Sequence, residues 1–150
     1  MKDYILIQEA DFQKARNRIK QAQKEGKAVV FSGDDEMNRK VLEKENVNIL
    51  LIKLGKRKDR LKQRNSGLNH VLAKLAQKKG VSIGMDFDEF INADKKEKTK
   101  ILARLIQNIK LCNKNRLKMI FVSEKYEKDR HDLRALGLVL GMPTWMTKDL

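Results

Sequence analysis

A single cysteine, a single proline and two histidines set the first limits on this chain of 150 residues. One cysteine cannot close an internal disulfide, which fits a reducing compartment. Cys112 ends an apolar helical stripe, so it reads as a small buried hydrophobe and makes a weak case as a nucleophile. His70 and His131 are too few for a zinc site built on three or more histidines, and a carboxylate-rich binuclear centre is disfavoured as well. There is no Walker loop, no glycine-rich dinucleotide fingerprint and no Cys-x-x-Cys. Aromatic residues make up only 5% of the chain, which argues against stacking on unpaired bases. The longest uncharged stretch runs from Ala135 to Thr147, is broken by Gly137, Gly141 and Pro143, and is too short to span a bilayer. From Met1 to Lys24 the only apolar run is Tyr4 to Ile7, so no secretory signal is legible and a cytoplasmic location is expected.

What the chain has in excess is positive charge. Thirty-four Lys and Arg stand against twenty Asp and Glu, a net charge of +14 with a pI near 9.9. Each phosphate that such a surface neutralises releases counterions, so a polyanion is the expected partner, nucleic acid first and a membrane surface second. Apolar residues still make up 41%, enough for the core of one domain spanning residues 1–150.

Strand-like and helix-like segments alternate. Tyr4–Gln8, Lys27–Phe31, Val47–Leu54, Val81–Phe87 and Lys118–Ser123 read as strands, several of them as continuous apolar runs suited to burial on both faces. Helical spacing predicts helices over Asp11–Glu25, Glu36–Lys44, from Ser66 to about Lys79, from Thr99 to about Asn113, and Asp129–Leu140. Asp34, Asp35 and Glu36 complement the dipole of a first helical turn and need no metal. This alternation predicts an α/β fold: a reduced, TIM-barrel-like arrangement of about five to six mostly parallel strands with surrounding helices. A complete eight-unit barrel needs about 250 residues.

Two segments carry candidate chemistry. Lys53 to Arg64 holds seven Lys or Arg and one acid, Asp59; Lys95 to Lys118 holds nine and one acid, Glu97. Side by side they would form a positive surface suited to a structured RNA read by backbone and shape. The first tract leads into Ser66-Gly67-Leu68-Asn69-His70-Val71-Leu72-Ala73-Lys74-Leu75-Ala76. There Ser66 is the expected helix cap, Gly67 opens the backbone to a close neighbour, and Asn69 and His70 fall in the first turn, near the positive end of the dipole. Asp86 and Asp88, at a strand end, admit two readings. They could serve with His70 in a divergent metal-dependent phosphoesterase, or they could pair with nearby Lys or Arg.

The order of residues in Ser66–Ala76 closely resembles the signature of ribonuclease P protein component 3, the barrel-like subunit of the archaeal and eukaryotic enzymes. Gly80-Val81-Ser82-Ile83, the helix through Arg104, Asn108 and Lys110, Asp132 to Leu136, and Leu140-Gly141-Met142 are similar in order and spacing. The likeness covers most of the chain from about Val29 onward. It implies a distorted TIM barrel related to metal-dependent PHP phosphoesterases but without their histidine-rich metal site. It further implies a subunit that is not itself the catalyst, supporting an RNA that removes the 5′ leader from precursor tRNA. The implied partners are ribonuclease P RNA, precursor tRNA in the holoenzyme, component 2 and the other ribonuclease P proteins, with magnesium on the RNA and no cofactor bound by the protein. Basic groups carry the family's RNA contacts, and that role maps onto Lys53, Lys56, Arg57, Lys58, Arg60, Arg64, Lys100, Arg104, Lys110, Lys114, Arg130 and Arg134. Ser66, Gly67, Asn69 and His70 are the signature positions, with no catalytic or metal-ligating residue among them. The family usually has further strand-helix material at the N-terminus, so a shortened member is expected. It also usually reads Arg-x-Pro where this chain has Lys128-Asp129-Arg130. A basic assembly protein of another RNA complex is the remaining alternative.

Overall fold

The computed structural model describes residues 4–126, 128–148 and 150. Five strands, β1 (Tyr4–Gln8), β2 (Ala28–Ser32), β3 (Ile49–Ile52), β4 (Ser82–Asp86) and β5 (Met119–Val122), form one sheet in the order of the chain. All four pairings are parallel. The crossovers are α1 (Phe12–Lys24), α2 (Asp35–Lys44), α3 (His70–Lys79) and α4 (Phe87–Asn92) with α5 (Lys95–Lys114); α6 (Arg130–Val139) and α7 (Thr144–Thr147) follow β5. Sequential order with every crossover helix on one face is the winding of a β/α barrel. Here β1 and β5 pair only with their inner neighbours among the described residues, so the sheet is open.

Alternation along the strands divides the apolar residues into two cores. Ile7, Phe31, Leu50, Ile83, Met85 and Phe121 face the helices and meet Ile19, Val41, Ala73, Ile101, Leu105 and Ile109. The opposite face carries Val30, Leu51 and Val122, ringed by Tyr4, Leu6, Ile49 and Ile120, with no helical residue among them. Val30 and Leu51 are nonetheless 0% and 1% exposed, because side chains of neighbouring strands close over them across a curved sheet. Gly84 lies in this concavity. A Cβ there would stand 2.9 Å from Ile49 Cγ2 and 3.2 Å from both Leu51 Cδ1 and Val122 Cγ2.

Several local details differ from the sequence reading. Asn69, not Ser66, caps α3: its Oδ1 accepts from the Leu72 amide at 2.9 Å. Helix α5 begins at Lys95 rather than Thr99, because Asp94 caps it by accepting from Glu97 N at 2.8 Å. The short helices α4 and α7 carry too little apolar periodicity to be read from the sequence. Cys112 is fully buried, and burial pushes its thiol up to about 12, consistent with a packing role. Trp145 docks on α5, its Nε1 donating to Asn113 Oδ1 at 3.2 Å with the Arg116 guanidinium over the ring. Among the described residues no helix is long and apolar enough to cross a membrane.

Candidate nucleic-acid interface

The connection from β3 to α3, residues 53–69, contains the first basic tract, and the fold ties it down at almost every step. At the strand end, Lys53 Nζ pairs with Asp86 on the neighbouring strand. The Glu89 carboxylate then accepts from Leu54 N, and Glu97 accepts from Lys56 N at 2.8 Å. Lys56 itself takes a left-handed conformation, φ 55°, to make the bend. Arg57 turns inward: its Nη1 and Nη2 donate to both oxygens of Asp35 at 2.8 and 2.9 Å, and its Nε donates to the Lys53 carbonyl. Gly67 makes this possible. It has φ +75°, and a Cβ there would lie 2.6 Å from both Arg57 Nη2 and Ile52 Cγ2. The close neighbour that the signature glycine admits is therefore Arg57.

From the other side α5 holds the same loop with three residues at helical spacing. Arg104, 1% exposed, donates from Nη1 to Leu54 O at 2.7 Å, from Nη2 to Arg57 O at 2.8 Å and from Nε to Asp59 Oδ1 at 3.3 Å. Gln107 Nε2 donates to Arg64 O and to Ser66 Oγ, each at 3.1 Å, and Asn108 Nδ2 donates to Ser66 O at 3.0 Å. Positions i, i+3 and i+4 lie on one flank of a helix, so a single row of side chains clasps the loop from Leu54 to Ser66. Asp59 completes the arrangement. The Asn65 amide, then the Arg104 guanidinium, hold its carboxyl below the ordinary value of 3.8.

The basic residues predicted to bind RNA thus separate into groups. Lys56, Lys58, Arg60 and Arg64 are exposed and make no ion pair among the described residues. Lys100 joins them from the flank of α5 that carries Arg104 and Gln107. Lys110 and Lys114 are exposed further along α5, the latter about 21 Å from Lys100 at 1.5 Å per residue. Arg130 and Arg134 lie on α6 and donate to the carbonyls of Leu150 and Lys148, tying down the chain end rather than joining the loop. Arg104 corrects the reading. A guanidinium this buried and this fully engaged has no face for a phosphate, and it shapes the loop instead. Arg57 is committed in the same way to Asp35. Reasoning from sequence also passed over Lys62, which is exposed beside Arg60, and the clasping role of Gln107; its signal was the Arg104-x-x-Gln107-Asn108 spacing opposite a loop rich in backbone carbonyls.

Of the signature positions, Ser66 is buried between Gln107 and the Leu68 carbonyl, Asn69 caps α3, and His70 opens that helix on the surface. Beside them a groove of about 520 Å³ is lined by residues of α2 and α3 together with Arg60 and Arg64. Asp86, Asp88 and His70 do not assemble. Asp86 is paired with Lys53 and caps α4, while Asp88 accepts from Ser123 Oγ, Glu124 N and Lys125 N. Among the described residues no group of three His, Cys, Asp or Glu is placed to hold a metal ion.

Comparison with known proteins gives one consistent result. The chain is 28% identical over 149 residues to ribonuclease P protein component 3 of Methanocaldococcus jannaschii, covering 96% of this chain and 62% of that protein. The chain resembles ribonuclease P protein component 3 throughout. It is 29% identical over 122 residues to the component 3 of Methanococcus maripaludis (81% of this chain, 49% of that protein) and 30% identical over 118 residues to that of Methanosarcina acetivorans (76% and 46%). A chain in the cryo-EM structure of archaeal ribonuclease P with mature tRNA superposes with a TM-score of 0.78 at 26% identity, over 98% of this chain and 63% of that one. No family model matches. The chain therefore spans 62% of the first component 3 relative and about half of the other two.

Proposed function

We propose that this chain is a protein subunit of ribonuclease P, binding and stabilising the catalytic RNA that removes the 5′ leader from precursor tRNA. The observation that carries the reading is the clasped loop. Within a chain similar to component 3 over nearly its whole length, the signature segment and α5 together fix a loop that presents unpaired cations to solvent. Lys56, Lys58, Arg60 and Arg64 neutralise backbone phosphates, and counterion release supplies the affinity. Because Arg104, Gln107 and Asn108 have already ordered the loop, little conformational freedom remains to be lost on binding. Bringing phosphate-rich RNA segments together is then less costly, and less magnesium on the RNA is needed for the active shape. The protein holds the RNA, and leader removal is the work of the RNA. Component 2 and the other ribonuclease P proteins are the protein partners, and the cytoplasm is the site of action.

Reconstitution tests this directly. Ribonuclease P RNA, the other protein subunits and precursor tRNA are combined with and without this chain across a magnesium series. The expected result is that the chain, added together with component 2, lowers the magnesium needed for leader removal. Activity indifferent to the chain would overturn the proposal.

A further inference from the structure

The tip of the clasped loop carries a feature that phosphate binding does not use. Arg60 and Gln63 close a turn on each other, Arg60 N donating to Gln63 O at 2.8 Å and Gln63 N to Arg60 O at 3.3 Å. At its crest Leu61 is 107% exposed, as free of contact as a leucine can be. The other well-exposed aliphatic residues, Val71, Leu138 and Val139, lie on helices, where a partly wet apolar residue is ordinary. Leu61 instead stands on a fastened turn. The bond from Asn65 N to Asp59 and that from Gln107 to the Arg64 carbonyl hold the base of the turn, so the tip projects as a defined shape. Its neighbours in sequence are Arg60 and Lys62, with Arg64 beyond, and all three are exposed cations.

An apolar crest between cations matches one kind of nucleic-acid surface. The minor groove of an A-form RNA helix is wide and shallow, with ribose edges across its floor and a row of phosphates along each side. The minor groove of B-DNA is only about 6 Å wide and would not admit a turn with three long side chains. Single strands are bound through stacking on aromatic rings, and residues 53–66 contain none. We infer that the Arg60–Gln63 turn docks in the minor groove of double-stranded RNA, with Leu61 packed on the ribose floor and Arg60, Lys62 and Arg64 on the flanking phosphates. This rests on the RNA-binding reading above and adds to it the contact surface and the class of nucleic acid.

Leu61 touches nothing in the protein, so its substitution leaves the fold intact, and equal thermal unfolding of the variants verifies this. The full chain, Leu61→Ala and Leu61→Lys are titrated against an RNA duplex of about 20 base pairs, the DNA duplex of the same sequence, and ribonuclease P RNA, each over a range of salt. Leu61→Ala is expected to weaken duplex RNA binding about five- to tenfold, the size that burial of part of a leucine side chain supports. The dependence of log Kd on log salt should be unchanged, because no charge has been removed. Leu61→Lys should also weaken binding despite its added charge. Tighter binding by Leu61→Lys, unchanged binding by Leu61→Ala, or DNA bound as well as RNA would each overturn the inference. Binding to ribonuclease P RNA without any to the duplex would overturn it while leaving the subunit reading intact. Binding to neither would overturn both.

Discussion

Arg104 shows how one residue can serve a surface it never reaches. Its fork satisfies two loop carbonyls and one carboxylate from inside the protein, a geometry that the compact ammonium of lysine cannot reproduce. Arg104→Met keeps much of the side-chain volume but leaves the carbonyls of Leu54 and Arg57 without their donor. We expect a loss of about 2–3 kcal/mol in urea unfolding. Amide exchange should accelerate across residues 54–65 and stay slow in β2, β3 and β4. Asp59 supplies a pH signature for the same clasp. Its carboxyl titrates below 3.8 in the folded state because the Asn65 amide and Arg104 favour the charged form. Its contribution is therefore fully present above the ordinary value and is lost as pH falls through the lower folded one. In Asp59→Asn, stability measured by denaturant titration should fall less steeply below pH 4 than in the parent, and a parallel fall would show that the clasp does not depend on this carboxylate.

At the scale of elements, the sheet and its longer helices, α1, α2, α3, α5 and α6, were legible in the sequence because strand and helix leave different apolar periods. The continuous runs around Val30 and Leu50 announced strands covered on both sides. Helix ends were less legible, since a cap depends on which of several polar residues the tertiary structure releases for the task. Ser66 was an acceptable cap by type, yet Gln107 and the Leu68 carbonyl hold it in the interior, and Asn69 takes its place. The candidate site was legible as charge and not as arrangement: a count of lysines and arginines cannot separate Lys58, which faces solvent, from Arg104, which is enclosed. The two polar residues should therefore respond differently to mutation. Asn69→Ala removes a helix cap and should cost about 1 kcal/mol with the loop unchanged. Ser66→Ala should barely alter the helix but should free Gln107 and speed exchange at the loop end, a difference that hydrogen exchange resolves residue by residue.

For the whole molecule, the net charge of +14 alone would make almost any polyanion a partner, so affinity says little about the site. The salt dependence says more, because its slope counts the phosphates neutralised. Lys56, Lys58, Arg60 and Arg64 form no ion pair among the described residues, so a bound phosphate gains their full charge without breaking an internal one. Reversal of Lys56, Arg60 and Arg64 to glutamate should reduce the slope of log Kd against log salt by about one unit per lost phosphate contact, about three in all. Reversal of Arg130 and Arg134, which removes as much charge per residue from α6, should change the slope much less, because those guanidiniums are occupied by the carbonyls of Leu150 and Lys148. The two sets differ in position far more than in charge per residue. Equal loss of slope from both would mean that the RNA responds to overall charge alone. Loss confined to the loop would mean that the clasped geometry, and not the excess of lysine and arginine, selects where RNA binds.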